Sequence, residues 1–378
     1  MKQLRGKIEE EIGERGPIPF SRYMELCLYD PELGYYSRNA EQFGRAGDFY
    51  TSSDVHKVFG RLLARQLEEM WRALGSPEPI QLIELGAGRG LFAQDVLGWS
   101  EKKFPDFFSA LHYQLLESSR SLRNRMAETL ETYLHGGKAE LSTADLLDQA
   151  VPNCIVFANE FFDALPFEVV SNQGSLRIGL QAGRFIESWG TISNAEMKYL
   201  DRHAVQPPEE ERVEVALAAQ DWMRRVAAGM RTGFLIAIDY GYTRDEMLAG
   251  RHRGTLKVIR QHAVSENPYE APGQQDITAD VNFTALVAAA EDRGMQAHKL
   301  VTQSQFLLGI GEANQFADGF EGCRLPQERA KVALQLKHLV TPAGMGESFQ
   351  VLVASKGVEL EKVESLSGLS FGRENRIR

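Results

Sequence analysis

Leu82-Ile83-Glu84-Leu85-Gly86-Ala87-Gly88-Arg89-Gly90 is the stretch on which the fold turns. A short apolar run stops at three alternating glycines. That is the pattern of a buried strand feeding a tight turn where backbone lies against a ligand. The glycines take the first, third and fifth positions of the turn, and Leu91 takes the sixth. A dinucleotide fingerprint needs its third glycine at that sixth position, so that strand and helix pack closely behind a pyrophosphate. The spacing therefore disfavours a nucleotide-dependent dehydrogenase.

Outward from this turn the chain alternates. Strands are expected at 80–84, 112–116, 138–142 and 154–158, with helices near 90–99 and 119–134. Such alternation implies right-handed crossovers and a parallel sheet. A helix over 213–230, a strand at 234–238, a helix at 281–293, a strand at 296–302, a helix at 326–339 and a strand at 348–355 complete it. Turn-separated runs between 167 and 190 read as an antiparallel insertion. Upstream, 3–15 and 21–29 read as short helices, the second capped by Ser21. An aromatic, glycine-rich loop spans 31–48, and an amphipathic helix covers 55–74. The domain plan is a helical N-terminal region with a cofactor-covering loop (1–78) and a catalytic domain (79–356). That domain carries the insertion near 167–210 and accessory elements near 242–345. A polar tail (357–378) is expected to be partly disordered.

At 378 residues, with 43% apolar and 25% charged content, the chain can bury a sizeable core. A net charge of −10 argues against a broad phosphate-binding surface, so no nucleic-acid partner is expected. Cys27, Cys154 and Cys323 form no Cys-x-x-Cys pair, and the histidines show no ligand spacing, so no metal site is expected. No apolar stretch is long enough to span a bilayer. The N-terminus carries Glu9, Glu10, Glu11 and Glu14 and resembles neither a signal nor a transit peptide. These features together point to a cytoplasmic protein without a membrane partner.

Ligands of open α/β sheets bind at the carboxyl ends of the strands, and polar residues recur there. A Gly-x-Gly-x-Gly turn preceded by an acid, here Glu84, is the form expected around S-adenosylmethionine. Glu117 ends the second strand, where a carboxylate can accept both ribose hydroxyls or simply favour a helix start. Asp145 follows the third strand and either accepts from an adenine amino group or is an exposed loop acid. The fourth strand runs into Ala158-Asn159-Glu160-Phe161-Phe162-Asp163-Ala164-Leu165-Pro166, which sets an amide and two carboxylates at the mouth of the site. Methyl transfer needs a positioned, desolvated nucleophile more than strong acid–base chemistry. Carboxylates such as Glu160 and Asp163 can bind a guanidinium and orient it, or they can cap a helix. Asp48 and Thr51 sit in a loop that can fold over a cofactor's methionine end. Asp239-Tyr-Gly241, His262 and Asp276-Ile-Thr-Ala-Asp280 supply polar groups beyond the fifth strand, Asp280 being equally suited to cap the next helix. The candidate catalytic residues are thus Glu160, Asp163 and His262. The candidate cofactor-binding residues are Asp48, Thr51, Glu84, Gly86, Gly88, Gly90, Glu117, Asp145 and Asn159.

Taken in order, several segments resemble the MidA-like methyltransferases, the family that includes the mitochondrial arginine methyltransferase assisting respiratory complex I assembly. They are Gly34-Tyr-Tyr36, Gly47-Asp-Phe49 with Thr51-Ser52, Glu84–Gly90, Asn159–Pro166, Asp239–Gly241, Gly254-Thr-Leu256 with His262, Asp276–Asp280 with Phe283, and Met345-Gly346. The resemblance implies a Rossmann-like class I methyltransferase fold with a seven-stranded, mostly parallel sheet. It implies S-adenosylmethionine as methyl donor and arginine in a protein as acceptor, with symmetric dimethylation. The lack of a recognisable presequence points to a bacterial member. Two other readings stay open: a small-molecule O- or N-methyltransferase of a biosynthetic pathway, and a non-catalytic assembly factor. The expected partner is a protein with an accessible arginine or a small molecule, with a homodimer left open.

Overall fold

The structure, a computed structural model, describes residues 2–37, 57–260, 263–265, 267–312 and 314–371. Its central sheet contains β1 (Ile80–Leu85), β2 (Leu111–Leu116), β3 (Ala139–Ser142), β4 (Val151–Asn159), β5 (Met230–Tyr242), β6 (Val281–Asn282), β7 (Gln296–Ala297), β8 (Val301–Thr302) and β9 (Phe349–Lys356). The order is β7-β9-β5-β4-β1-β2-β3, with β6 also on β5 and β8 also on β9. Strands β3, β2, β1, β4 and β5 run parallel, and β6 pairs parallel with β5. Strand β9 is antiparallel to β5, β7 and β8.

The expected seven-stranded, mostly parallel sheet is therefore corrected to a mixed sheet of nine strands among the described residues. The difference lies in two-residue strands, too short to show any periodicity. The segment 296–302, expected as one strand, is two pieces that meet β9 at different registers, Gln296 opposite Ser355 and Val301 opposite Val351. Similarly, 213–230 begins as a strand, Val213–Val215, before the helix Leu217–Gly229. The helix expected from 281 starts at Phe283, because Gly241 lets β6 pair there. A Cβ at Gly241 would lie 2.1 Å from the Val281 carbonyl oxygen.

The central strands are apolar without interruption because both faces are covered. In β4, Ile155 and Phe157 enter a core shared with helices Lys57–Ala73 and Leu91–Lys103. Cys154, Val156 and Ala158 enter the opposite core with helices Leu217–Gly229 and Phe283–Glu291. Residues 154–158 of β4 are thereby all buried, which leaves the carboxyl edge as the place for polar groups.

A second body lies against that edge. Helices Lys2–Arg15 and Phe20–Tyr29 share a core with Phe167, Val169, Leu176 and Ile178 of the insertion, and with Ile277 and Ala279. The insertion is an antiparallel sheet of Glu168–Ser171, Gly174–Gln181, Arg184–Gly190 and Val213–Val215. Ile18–Pro19 adds to it, with Ile18 opposite Ile178. A small sheet of Lys257–Arg260, Ala263–Ser265 and Asp276–Thr278 completes the body. Ser21 does not cap its helix; the N-cap is Pro19. Its hydroxyl instead donates to Glu168 Oε1 at 2.5 Å, tying the N-terminal helix to the insertion.

The C-terminal segment read as a partly disordered tail packs closely as far as Phe371. Val363 and Leu366 are buried, and Ser367 donates from its N and Oγ to Glu69 Oε2 at 2.9 and 2.8 Å. Two apolar side chains and a paired glutamate suffice to dock a segment whose composition is otherwise polar. Residues 372–378 lie outside the described residues.

Candidate active site

The glycine turn follows β1 into the helix Leu91–Lys103. All three glycines are left-handed, at φ 67° for Gly86, 54° for Gly88 and 74° for Gly90, a conformation other residues adopt only under strain. Gly86 and Gly90 are also hemmed in. A Cβ at Gly86 would lie 2.9 Å from the Phe161 ring, and one at Gly90 would lie 2.8 Å from Met126 Cγ. A Cβ at Gly88 would meet nothing within 4 Å. Gly88 therefore presents bare backbone to a cavity of about 1010 Å³.

Glu117, at the end of β2, closes the turn. Its Oε2 accepts from Gly88 N at 3.0 Å and its Oε1 from Ser119 N at 2.8 Å. Burial raises its pKa, and these N–H groups pull it back down. The carboxylate is thus locked onto backbone while still lining the cavity. Glu84 sits deeper and is buried. It accepts from Tyr113 OH at 2.7 Å, and burial pushes its carboxyl up to about 8.

On the next strand, Asn159 donates from Nδ2 to Glu160 Oε1 at 3.1 Å, while its buried Oδ1 has no hydrogen-bond partner. Glu160 is the first residue past β4 and stands at φ 51°, pinned by its N–H to Ile238 O at 2.9 Å. The left-handed kink turns the chain out of the sheet, and a glutamate held there at a strain of about 1 kcal/mol is the kind of outlier that gathers at functional sites. Phe161 then packs on Gly86 and stands edge-on to Trp222 at 5.3 Å, joining the two motifs.

Asp163 is 9% exposed. Its Oδ2 accepts from Tyr240 OH and from Thr278 Oγ1, the latter at 2.9 Å, and its Oδ1 is buried without a partner. Burial raises its pKa against those two hydroxyls. Behind it, fully buried Asp239 accepts from the N–H of Phe162 and Asp163 at 3.1 and 3.3 Å. Burial, with Asp163 and Glu160 nearby, drives the Asp239 carboxyl well above the usual range. Asp239 therefore acts as a brace for the 160–163 turn.

Glu84, Gly86, Gly88, Glu117, Asn159, Glu160 and Asp163 all line one cavity. Gly90 lies just behind them, where it seats the helix start on Met126 and Leu130. Asp145 is not among the lining residues. Its side chain is 84% exposed and faces Arg225 at 3.6 Å, while Ser142, Thr143 and Ala144 form the wall at that point. The short helix Ala144–Asp148 carries it outward. Asp48, Thr51 and His262 lie outside the described residues. Asp280 does not cap a helix either. It pairs with Lys257 Nζ at 2.7 Å and His252 Nδ1 at 3.0 Å, and Asn282 provides the cap.

Tyr29, Tyr36, Tyr240, Asp276 and Lys257 also line the cavity, and none of them was among the candidate site residues. The segments Gly34-Tyr-Tyr36, Asp239-Tyr-Gly241 and Asp276–Asp280 were visible in the sequence, but Tyr36 and its partner Asp276 lie 240 positions apart. No local pattern links the two.

A parallel sheet edge carrying a glycine turn of this spacing, an acid at the end of β2 and an open backbone cradle defines a class I S-adenosylmethionine-dependent methyltransferase. The model of a family described as "Putative S-adenosyl-L-methionine-dependent methyltransferase" matches residues 62–301, and the chain belongs to that MidA-like family. A Drosophila melanogaster protein named protein arginine methyltransferase NDUFAF7 homolog, mitochondrial, is 31% identical, over 94% of this chain and 85% of the relative. The Danio rerio protein arginine methyltransferase NDUFAF7, mitochondrial, is 28% identical, over 97% and 90%. A Burkholderia thailandensis crystal structure bound to S-adenosyl-homocysteine superposes with a TM-score of 0.84 at 29% identity, covering 98% of this chain and 95% of that one.

The protein is an S-adenosylmethionine-dependent methyltransferase. The residues present suit that cofactor: bare backbone at Gly88, Glu117 and Asn159 line one cavity. The expectation of a cytoplasmic protein is overturned by the relatives, which are named as mitochondrial. Three scattered cysteines were one ground for it, and that pattern does not distinguish one reducing compartment from another.

Proposed function

We propose that the protein methylates a guanidinium nitrogen of arginine in a protein substrate, with symmetric dimethylation as the finer form of that reading. The observation that carries it is the gathering of Glu160 and Asp163 in the same cavity as the glycine turn. The relatives named as protein arginine methyltransferases support it. When bound, S-adenosylmethionine supplies an electrophilic methyl group on a sulfonium.

The chain's own residues must position the acceptor and manage its charge. A guanidinium is protonated at neutral pH, so its nitrogen must be oriented and its charge kept balanced as the new N–C bond forms. Glu160 accepts guanidinium N–H bonds, oriented by the Asn159 amide, and draws off the proton that the methylated nitrogen must lose. Asp163 is held by Tyr240 and Thr278 and adds a second carboxylate to the same cavity. Asp239 holds the backbone at Phe162 and Asp163, and Ile238 O holds that of Glu160.

Incubation with methyl-labelled donor and cell extract, followed by mass spectrometry of tryptic peptides, tests this. Label on arginine is expected, and two methyls on separate nitrogens would give the symmetric product. Label on small metabolites alone would overturn the reading in favour of a small-molecule methyltransferase.

A further inference from the structure

The wall of the cavity beyond Glu160 is built from three tyrosines and two buried aspartates drawn from four separate parts of the chain. Tyr29 ends the second N-terminal helix and Tyr36 follows it; their rings lie 5.5 Å apart. Tyr240 comes from β5, and Asp276 from the small accessory sheet. Tyr36 OH donates to Asp276 Oδ1 at 3.0 Å, Tyr240 OH is bonded to Asp163 and Thr278, and Tyr29 OH donates to Ala164 O at 2.8 Å. With each hydroxyl engaged in this way, the rings are held in place, and all three tyrosines line the cavity. All three are half-buried.

Asp163 is short of positive charge among the described residues. It is 9% exposed and leaves Oδ1 without a hydrogen-bond partner, and its side-chain partners are hydroxyls. Asp276, the second carboxylate of this wall, is 5% exposed. Lys257 demonstrates that a cation can sit on this surface: its Nζ lies 5.1 Å from the Tyr240 ring centre. Its charge is matched by Asp280 at 2.7 Å, so it does not neutralise Asp163. Aromatic faces beside desolvated carboxylates attract a flat, weakly hydrated cation more than a neutral group of the same shape.

We infer that Tyr29, Tyr36 and Tyr240, with Asp163 and Asp276, form a box that selects the acceptor by its delocalised positive charge, with Tyr36 and Asp276 as specificity-determining residues. The inference deepens the arginine reading and rests on it for the identity of the cation. It also gives the N-terminal helices a role in recognition, since they carry two of the three rings into the site.

The test uses the full chain loaded with S-adenosylhomocysteine, and two probes of equal shape, acetyl-arginine-amide and the neutral acetyl-citrulline-amide. Binding is followed by ligand-observed NMR. The arginine probe is expected to bind about tenfold more tightly than the citrulline probe. Tyr36→Leu and Asp276→Asn are each expected to remove that preference while leaving S-adenosylhomocysteine affinity unchanged. Tyr36→Phe, which keeps the ring, should retain most of it. Equal binding of the two probes, or a preference that survives Tyr36→Leu in a variant still binding S-adenosylhomocysteine, would overturn the inference. If the arginine probe is preferred but labelled donor marks only small cationic amines, the box stands and the arginine reading fails.

Discussion

The two walls of the cavity are built in opposite ways. The wall that we assign to the donor comes from one short run, Glu84 to Gly90, with Glu117 on the adjacent strand. Its geometry is local: left-handed glycines and two backbone N–H groups on one carboxylate. The wall that we assign to the acceptor brings together residues from 29 to 278, joined by side-chain hydrogen bonds such as Tyr36 to Asp276 and Tyr240 to Asp163. A common cofactor needs a reproducible cradle, and a local turn supplies one. A particular acceptor needs a surface that insertions can reshape without disturbing that turn.

The largest effect should come from breaking the donor wall alone. Gly86→Val forces a branched side chain into φ 67° and against Phe161, so S-adenosylhomocysteine affinity should fall about 100-fold or more by calorimetry. Gly88→Ala probes the same wall differently, because its Cβ meets no protein atom within 4 Å and adds about 1 kcal/mol of backbone strain together with a methyl group projecting where the cofactor would meet bare backbone. Unchanged affinity in the valine variant would misplace the donor. Glu160→Gln should do the reverse. Turnover is expected to fall about 100-fold with donor affinity nearly intact, and a variant that loses donor binding instead would move Glu160 to the donor wall.

A third effect is on stability. Burial holds Glu84 at about 8 against an ordinary 4.5, so the folded protein keeps a proton that the unfolded chain sheds. The associated stability is whole below the unfolded value and is lost as pH rises toward the folded one. Glu84→Gln stays neutral throughout, so its melting temperature should fall less between about pH 5 and 8 than that of the wild type. Parallel curves would show that Glu84 is not the group responsible. The smallest effect belongs to the outer body. Ser21→Ala removes the bond to Glu168 and should cost about 1 kcal/mol, read as a melting temperature lower by about 2 °C. Any loss of donor affinity in that variant would mean that the two walls are coupled.

How much was legible follows the same division. Strands β4 and β5 announce themselves because each holds a continuous apolar run, Cys154–Ala158 and Phe234–Ile238, ended by an amide or an acid, and burial on both faces makes that run continuous. Strands of two residues carry no such signal, and β6, β7 and β8 were missed or fused for that reason. Glu84, Glu117, Glu160 and Asp163 were candidates because ligands collect at strand ends, and all four line one cavity. Asp145 satisfied the same rule and failed it in space, since a short helix carries it out toward Arg225. Ser21 satisfied the rule for a helix cap, yet a partly buried glutamate across the interface offered its hydroxyl a charged acceptor.

By itself the sequence determined the donor: a glycine spacing that excludes a pyrophosphate fingerprint, set at the end of a buried strand. That information is local, because backbone conformation at Gly86, Gly88 and Gly90 depends on the absence of a Cβ at three neighbouring positions. Only the tertiary structure decided the surroundings of the acceptor. Tyr29, Tyr36, Asp163, Tyr240 and Asp276 acquire a common environment through burial and long-range hydrogen bonds, and neither leaves a periodic trace along the chain.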